Sequence, residues 1–342
     1  MSILALQTGV FVSAAVLTGL FLRLAHSLRL LDEPVARSSH VRPTPVGGGV
    51  SIVLLFLLVS SWYFLVGILP FNEYMALLAT GVIGLLGFVD DFMPLDLKWR
   101  VPTQTLAALW VVVWLGDMPA VNFAGLMLSQ PWLLKALALL ALLWLLNLYN
   151  FMDGIDGLAG SELVFVTFLS YLLVINSGDE VTAMLSATLL AAGAGFLLWN
   201  WPPAKIFMGD VGSSFTGFSL GVLALISMQS GILTLWTWLI LLAVFIVDAT
   251  VTLLRRFWRG EKWYEGHATH AYQQAARQYK SHAKVTITVI VINLLWLAPL
   301  AWLSVQRPEL GMALTLLAML PLLLLAWRLG AGNAAVVAVD QQ

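Results

Sequence analysis

Residues 131–160 read PWLLKALALLALLWLLNLYNFMDGIDGLAG. Apart from Lys135, positions 132–146 are apolar without a break, and a bilayer core takes about 20 such residues as a helix. The run ends on Asn147 and Asn150. It then gives way to two Asp–Gly steps, Asp153-Gly154 and Asp156-Gly157, before apolar sequence resumes at Leu158. The pattern is membrane helix, polar loop, membrane helix, and it extends in both directions along the chain.

Eleven stretches qualify as spans: 3–22, 48–68, 73–89, 102–116, 132–149, 160–176, 182–199, 214–228, 232–253, 285–304 and 309–329. The composition agrees. Of 342 residues, 60% are hydrophobic and 10% charged, against roughly 25% charged in an ordinary soluble domain, and the mean hydropathy is +0.91. A soluble globular fold, a disordered chain and a coiled coil are excluded. There is no cysteine, so disulfides, thiolate metal sites and thiol nucleophiles are excluded as well. The first span has no Lys or Arg before Arg23, so it lacks the basic start of a signal peptide and is expected to stay in place.

The 17 basic residues sort unevenly between the two faces this topology defines. Only Lys135 and Arg307 fall on one side, and the other 15 on the opposite side. By the positive-inside rule the basic face is cytoplasmic, which predicts a periplasmic N-terminus and a cytoplasmic C-terminus. The fold expected is an all-α integral membrane protein of about eleven transmembrane helices, one domain over 1–342 with no soluble part. Outer connections at 69–72, 177–181 and 228–231 are short and bare. The inner loops, near 23–47, 90–101, 147–160, 200–213 and 255–284, hold the Asp, Asn, His and Gly. Any chemistry belongs to that face.

Each inner loop has a local reading and a functional one. Arg37, His40 and Arg42 precede Gly47-Gly48-Gly49, a run that serves equally for anion contact through backbone amides or for helix packing. Asp90-Asp91 are adjacent carboxylates at a membrane boundary; they repel each other unless a cation intervenes, and Lys98 and Arg100 follow. A divalent metal or proton transfer would use such a pair. The Asp–Gly steps of the third loop each make a tight turn, but Asn150, Asp153 and Asp156 together at the mouth of a bundle suggest a polar site. In the fourth, Phe207 is followed by Asp210 between Gly209 and Gly212, which leaves room for a ligand, while Ser213 suits a helix cap. Asp248 lies inside the ninth span, about 10 Å below the helix end, where a carboxylate serves equally as a structural partner or a functional group. The last loop joins Arg255, Arg256 and Arg259 to His267 and His270. No third ligand sits at helical spacing for zinc; imidazoles beside arginines suit a diphosphate, and the local reading is a basic juxtamembrane segment held by anionic lipid.

Taken in order, Pro43-Thr44-Pro45 with the triple glycine, Asp90-Asp91 with Lys98 and Gln104, Asn150-x-x-Asp153-Gly154-x-Asp156-Gly157-Leu158-Ala159, Phe207-Met208-Gly209-Asp210-x-Gly212-Ser213 and the histidine loop resemble the bacterial polyprenyl-phosphate N-acetylhexosamine-1-phosphate transferases. The match runs along nearly the whole chain. The resemblance implies transfer of a sugar-1-phosphate from a UDP-N-acetylamino sugar to undecaprenyl phosphate, with release of UMP and with Mg²⁺, or Mn²⁺ in its place. It implies Asp210 as the metal ligand with Asp91 as a second, and Asp90 as the group that deprotonates or orients the lipid phosphate; a covalent aspartyl-phosphate is the competing mechanism. Asn150, Asp153 and Asp156 resemble the nucleotide and metal-water contacts, and Phe207 the ring that stacks on uracil. Lys98, Arg100, His267, His270, Arg37 and His40 are the implied phosphate-binding set.

The final motif, His267-Ala268-Thr269-His270-Ala271-Tyr272-Gln273, departs from the adjacent histidines of the peptidoglycan-precursor enzymes. It looks like the branch that initiates O-antigen in lipopolysaccharide biosynthesis, at the bacterial inner membrane. The partners implied are the two substrates, membrane lipid and a second copy of the chain, with no nucleic acid. A carrier of nucleotide sugars or lipid-linked sugars would also gather anions at one mouth. It would need polar residues running through the spans to both faces, and Asp248 is nearly the only carboxylate read as lying well inside one.

Overall fold

A computed structural model describes residues 3–28, 30–34, 42–261 and 267–333; Arg37 and His40 lie outside them. Fourteen α-helices dominate these residues. They are α1 (Ile3–Leu28), α2 (Val50–Leu65), α3 (Phe71–Phe92), α4 (Leu97–Leu115), α5 (Pro131–Phe151), α6 (Leu158–Val174) and α7 (Glu180–Asn200), followed by α8 (Gly209–Gln229), α9 (Leu235–Leu241), α10 (Ala243–Trp258), α11 (Ala271–Tyr279), α12 (His282–Ile292), α13 (Ala298–Gln306) and α14 (Gly311–Arg328). Each predicted span coincides with a helix or a pair of helices. Seven helical stretches are long and apolar enough to cross a membrane, and α9 with α10 makes an eighth if that bent pair is one span. Helices α2 and α6 are shorter, and α4 opens on Lys98 and Arg100.

Helix α8 is the axis of the bundle, with residues 211–227 all buried. Its small residues explain how neighbours come so close. A Cβ on Gly217 would strike the Leu145 carbonyl of α5, and one on Gly87 of α3 would strike the Asp210 carbonyl. Close backbone approach through small residues is the usual means of helix packing in lipid, where burial from water supplies no drive. At the same end, Gly49 packs on Gly212, backbone to backbone. Two of the three glycine amides are engaged: Gly48 N–H donates to the Phe207 carbonyl and Gly49 N–H to that of Met208, both at 2.9 Å. Here the triple glycine packs one loop against another. A two-residue strand pair, β1 (Leu31–Asp32) with β2 (Thr44–Pro45), closes the first loop, and Phe207 N–H donates to the Pro45 carbonyl at 2.8 Å.

Three features depart from the expected spans. The ninth is broken: α9 and α10 meet at Leu242 with a bend of 79°, at a point with neither proline nor glycine. Buried contacts hold the break, with Trp238 Nε1 donating to Ser227 Oγ at 2.8 Å and Thr237 hydrogen-bonded to Ser304. The tenth widens into a π-turn at Asn293–Leu297, which ends two residues before Pro299, a residue that lacks an N–H and crowds the preceding turn. Asn293 Nδ2 there donates to Glu162 Oε2 at 2.6 Å. Glu162, fully buried in α6, is thus a second carboxylate within a span beside Asp248.

Candidate active site

The carboxylates converge where three helix ends meet. Helix α3 brings Asp90 and Asp91 in its last turn, α5 brings Asn150 in its last turn, and α8 brings Asp210 in its first. Asp91 accepts the backbone N–H of Asp210 at 2.8 Å and that of Val211 at 3.1 Å. An α-helix leaves its first amides without internal partners, and its N-terminus favours negative charge. Asp91 meets both requirements from another helix, so its oxygens hold the first turn of α8 in place. Gly209, at φ +77°, turns the chain into that helix, and a Cβ there would meet an Asp91 oxygen.

Asp210 is thereby presented to the loop side. Asn150 Nδ2 donates to its Oδ1 at 2.7 Å and to Ser213 Oγ at 3.0 Å. Arg100, on the first turns of α4, pairs with Asp90 at 2.9 Å and reaches Asp210 Oδ2 at 3.7 Å. Asp90 is nearly enclosed, its side chain 8% exposed, and its other oxygen accepts the Leu95 N–H at 2.7 Å. Asp153 stands beside this group. Burial, and then the charges of Asp210, Asp91 and Asp156, hold its carboxyl well above the usual carboxylate range. Arg100 therefore faces a cluster with more carboxylates than one guanidinium can balance, and such a cluster attracts a cation. Among the described residues no three carboxylate or imidazole groups converge closely enough to hold a metal by themselves. Mg²⁺ is usually bound by one or two carboxylates with water and substrate phosphates, and the hard oxygens of Asp210 and its neighbours suit that mode.

Other predicted residues are placed differently. Lys98 pairs with Asp96 at 2.7 Å in a setting where both side chains are exposed, away from the cluster. Asp156 links loops: it accepts the Ala204 N–H at 3.1 Å, pairs with His282 at 3.2 Å, and its carbonyl accepts the Thr286 hydroxyl. Phe207 is half-buried, its backbone engaged with the first loop. Gly154 permits the turn after Asp153 to lie against the Tyr272 hydroxyl, which donates to the Phe151 carbonyl at 2.9 Å. The third loop and the histidine loop are thereby joined.

The histidine loop is anchored by Asp248. Its carboxylate accepts the N–H groups of Ala271 at 2.8 Å and Tyr272 at 2.9 Å, the first turn of α11, and the Thr252 hydroxyl at 3.1 Å. His270 Nδ1 lies 3.3 Å from it. The intramembrane carboxylate is a helix cap, reached across 23 residues of chain. His267 and His270 stack at 4.9 Å between ring centres, near Phe151. Burial, reinforced by His270 and Arg256, pushes the His267 imidazole down to about 3, so at neutral pH it carries no charge for a phosphate. The neighbouring arginines are engaged elsewhere: Arg256 pairs with Glu261 at 2.7 Å, and Arg255 and Arg259 bind the chain beyond α14.

A stretch holding the whole carboxylate cluster, residues 73–228, matches the family described as glycosyl transferase family 4. Over that stretch the chain is similar to glycosyl transferase family 4. Individual relatives align well beyond that stretch. A Bacillus subtilis protein described as a probable undecaprenyl-phosphate N-acetylglucosaminyl 1-phosphate transferase is 27% identical over 288 residues, 82% of this chain and 79% of that one. A phospho-N-acetylmuramoyl-pentapeptide-transferase of Halalkalibacterium halodurans is 26% identical over 310 residues, 84% of this chain and 92% of that one. The same kind of enzyme from Granulibacter bethesdensis is 38% identical, but over only 95 residues, 28% of this chain. The family match spans the second, third and fourth inner-loop motifs. It says nothing of Ser213 at Asn150, or of Asn200, which accepts the Gly157 N–H and donates to the Ile206 carbonyl, both at 3.0 Å. Ser213 and Asn150 are 63 residues apart and Asn200 and Gly157 43, so those pairings carry no local signal.

Proposed function

We propose that this protein transfers a sugar-1-phosphate from a UDP-N-acetylamino sugar to undecaprenyl phosphate, releasing UMP and starting a lipid-linked surface glycan of the O-antigen type. The observation that carries the reading is the group Asp91, Asp210, Asn150 and Arg100 at the buried mouth of α8. It offers oxygen ligands and a guanidinium side by side, as a polyphosphate with a divalent cation requires. The relatives described as moving phospho-sugars support the same chemistry. In this reading eleven helices cross the inner membrane, the N-terminus is periplasmic, and the site opens to the cytoplasm beside the lipid acceptor.

The bond changes follow from the products. An oxygen of the acceptor phosphate forms a bond to the sugar-bearing phosphorus of the donor, and the bridging P–O bond breaks with its electrons leaving on UMP. Such a transfer is governed by positioning and charge stabilisation. Arg100 holds a phosphate oxygen next to Asp210, and Asp90 fixes the guanidinium in that attitude. Asn150 orients the Asp210 carboxylate. Asp210, with Asp91 behind it and Asp153 alongside, would hold Mg²⁺, which when bound neutralises charge on the diphosphate. Phe207 supplies the ring that stacks on uracil.

The test is UMP release by purified protein given UDP-GlcNAc, UDP-GalNAc or their 6-deoxy relatives. Release should require both undecaprenyl phosphate and Mg²⁺. A folded protein silent across that panel would remove the proposal, and uptake of nucleotide sugar into liposomes without turnover would replace it with a carrier.

A further inference from the structure

Residues 329–333, which follow α14, stay against the protein. Gly330 and Gly332 take φ of +77° and +73°, folding residues 330–333 back across the end of α10 and the histidine loop. Ala331 is fully buried. Its carbonyl accepts Arg255 Nη1 at 2.7 Å, and the Gly332 carbonyl accepts Arg259 Nη1 at 2.7 Å. Asn333 receives Arg259 Nη2 on its side chain and Gln274 Nε2 on its carbonyl. The Arg255 guanidinium also lies over Trp327 at 3.8 Å from the ring centre, within range of a cation–π contact. The decisive bond runs the other way: Gly332 N–H donates to the Thr269 carbonyl at 2.7 Å. Thr269 in turn pairs its hydroxyl with His267 Nδ1 at 3.1 Å, and the other ring nitrogen of His267 is buried.

We propose that residues 330–333 form a strap that positions the histidine loop, with Gly332 and Asn333 acting on His267 and His270 through Thr269 and Gln274. The strap explains what two arginines beside the histidine loop do: they hold backbone carbonyls whose position sets the loop. Asp248 fixes the start of α11 from within the bundle, and the strap fixes the preceding turn from outside. That the loop serves the sugar-nucleotide donor rests on the function proposed above; that the strap holds the loop does not.

The experiment uses the full chain with Asn333→Leu, Asn333→Asp and Gly332→Ala. Asn333→Asp keeps an acceptor for Arg259, whereas Asn333→Leu removes it. An alanine at 332 would need φ near +73° and would press on Arg255 and the Thr252 carbonyl. Diethyl pyrocarbonate labelling, read by mass spectrometry at each histidine, should mark His267 at least several-fold faster in Asn333→Leu and Gly332→Ala. Labelling of His26 should stay at the parent rate, and Asn333→Asp should resemble the parent throughout. In turnover assays the two loosened variants should raise KM for the UDP-sugar about tenfold, with KM for undecaprenyl phosphate unchanged. Unaltered His267 labelling in Asn333→Leu would overturn the strap, whatever the activity. A parent protein that releases no UMP, with the labelling differences intact, would instead overturn the donor assignment and leave the strap standing. If Gly332→Ala does not fold, the Asn333 pair decides.

Discussion

Asp91 accepts the backbone N–H of Asp210 at 2.8 Å across 119 residues of chain, so one aspartate of the site builds the helix terminus that carries another. The two acidic groups thus have separable roles, and variants should separate them. Asparagine at position 91 offers one oxygen where two amides need acceptors, and its NH₂ faces a donor. Asp91→Asn should cost about 1–2 kcal/mol, as lost caps do, seen as a lower Tm in detergent. Asp210→Asn keeps the oxygen that Asn150 contacts, so it should melt close to the parent while losing turnover. Full activity in Asp210→Asn would remove it as the essential carboxylate.

Arg100 is the hinge between Asp90 and Asp210, at 2.9 and 3.7 Å. A guanidinium spans two carboxylates with a planar fork, and an ammonium cannot. Arg100→Lys should therefore retain folding and lose about 10²-fold in kcat, the usual scale for removing one preorganised donor. Arg100→Ala should lose at least as much and also melt lower, since Asp90 is nearly enclosed and would be left without its cation. Steady-state kinetics beside a melting curve distinguish the two. Equal activity in Lys98→Ala is expected by contrast, because Lys98 faces Asp96 in solvent.

How the sequence foretold this arrangement depends on distance along the chain. The helices follow from long apolar runs, and each run coincides with helical structure because hydropathy is a local property. The break at Leu242 has no local cause and comes from contacts of Trp238 and Thr237 with α8 and α13. The site residues Asp90, Asp91, Asn150, Asp153 and Asp210 were readable as polar groups at span ends, and the structure brings them to one place. What each does there was not readable. Asp91 as a cap, the glycine amides bound to Phe207 and Met208, and Arg255 and Arg259 on the strap are all pairings over long sequence separations, set by packing. Asp248, left equally structural and functional by its depth, is resolved by its bonds to Ala271 and Tyr272.

Those bonds make Asp248 a test of the histidine loop. Removing it leaves two amides at the start of α11 and the Thr252 hydroxyl without their acceptor, in a buried setting. Asp248→Ala should cost about 2–3 kcal/mol, given the penalty for unsatisfied buried donors. The damage should be local first. Limited proteolysis should cut within 267–280 well before the rest of the protein unfolds, and Asp248→Asn should fall between parent and alanine. A cleavage pattern identical to the parent's would show that α11 does not depend on this cap.

His267 provides a pH signature. Burial and the neighbouring His270 and Arg256 hold its imidazole at about 3 in the folded protein, against about 6.5 for an unperturbed histidine. Between those values the unfolded chain binds a proton that the folded one does not, so stability rises with pH across that window. The sign is fixed by the direction of the shift: His267 leaves the fold unpenalised above about pH 6.5, and the penalty grows as pH falls toward 3. Melting temperatures in detergent should drop from pH 7 to pH 5 more steeply in the parent than in His267→Gln, which has no proton to gain. Carboxylates that titrate in the same range contribute equally to both proteins, so the difference between the two slopes isolates the imidazole. Parallel slopes would mean that His267 is already solvated in the folded state, and with it that the stacked pair of rings does not persist in solution.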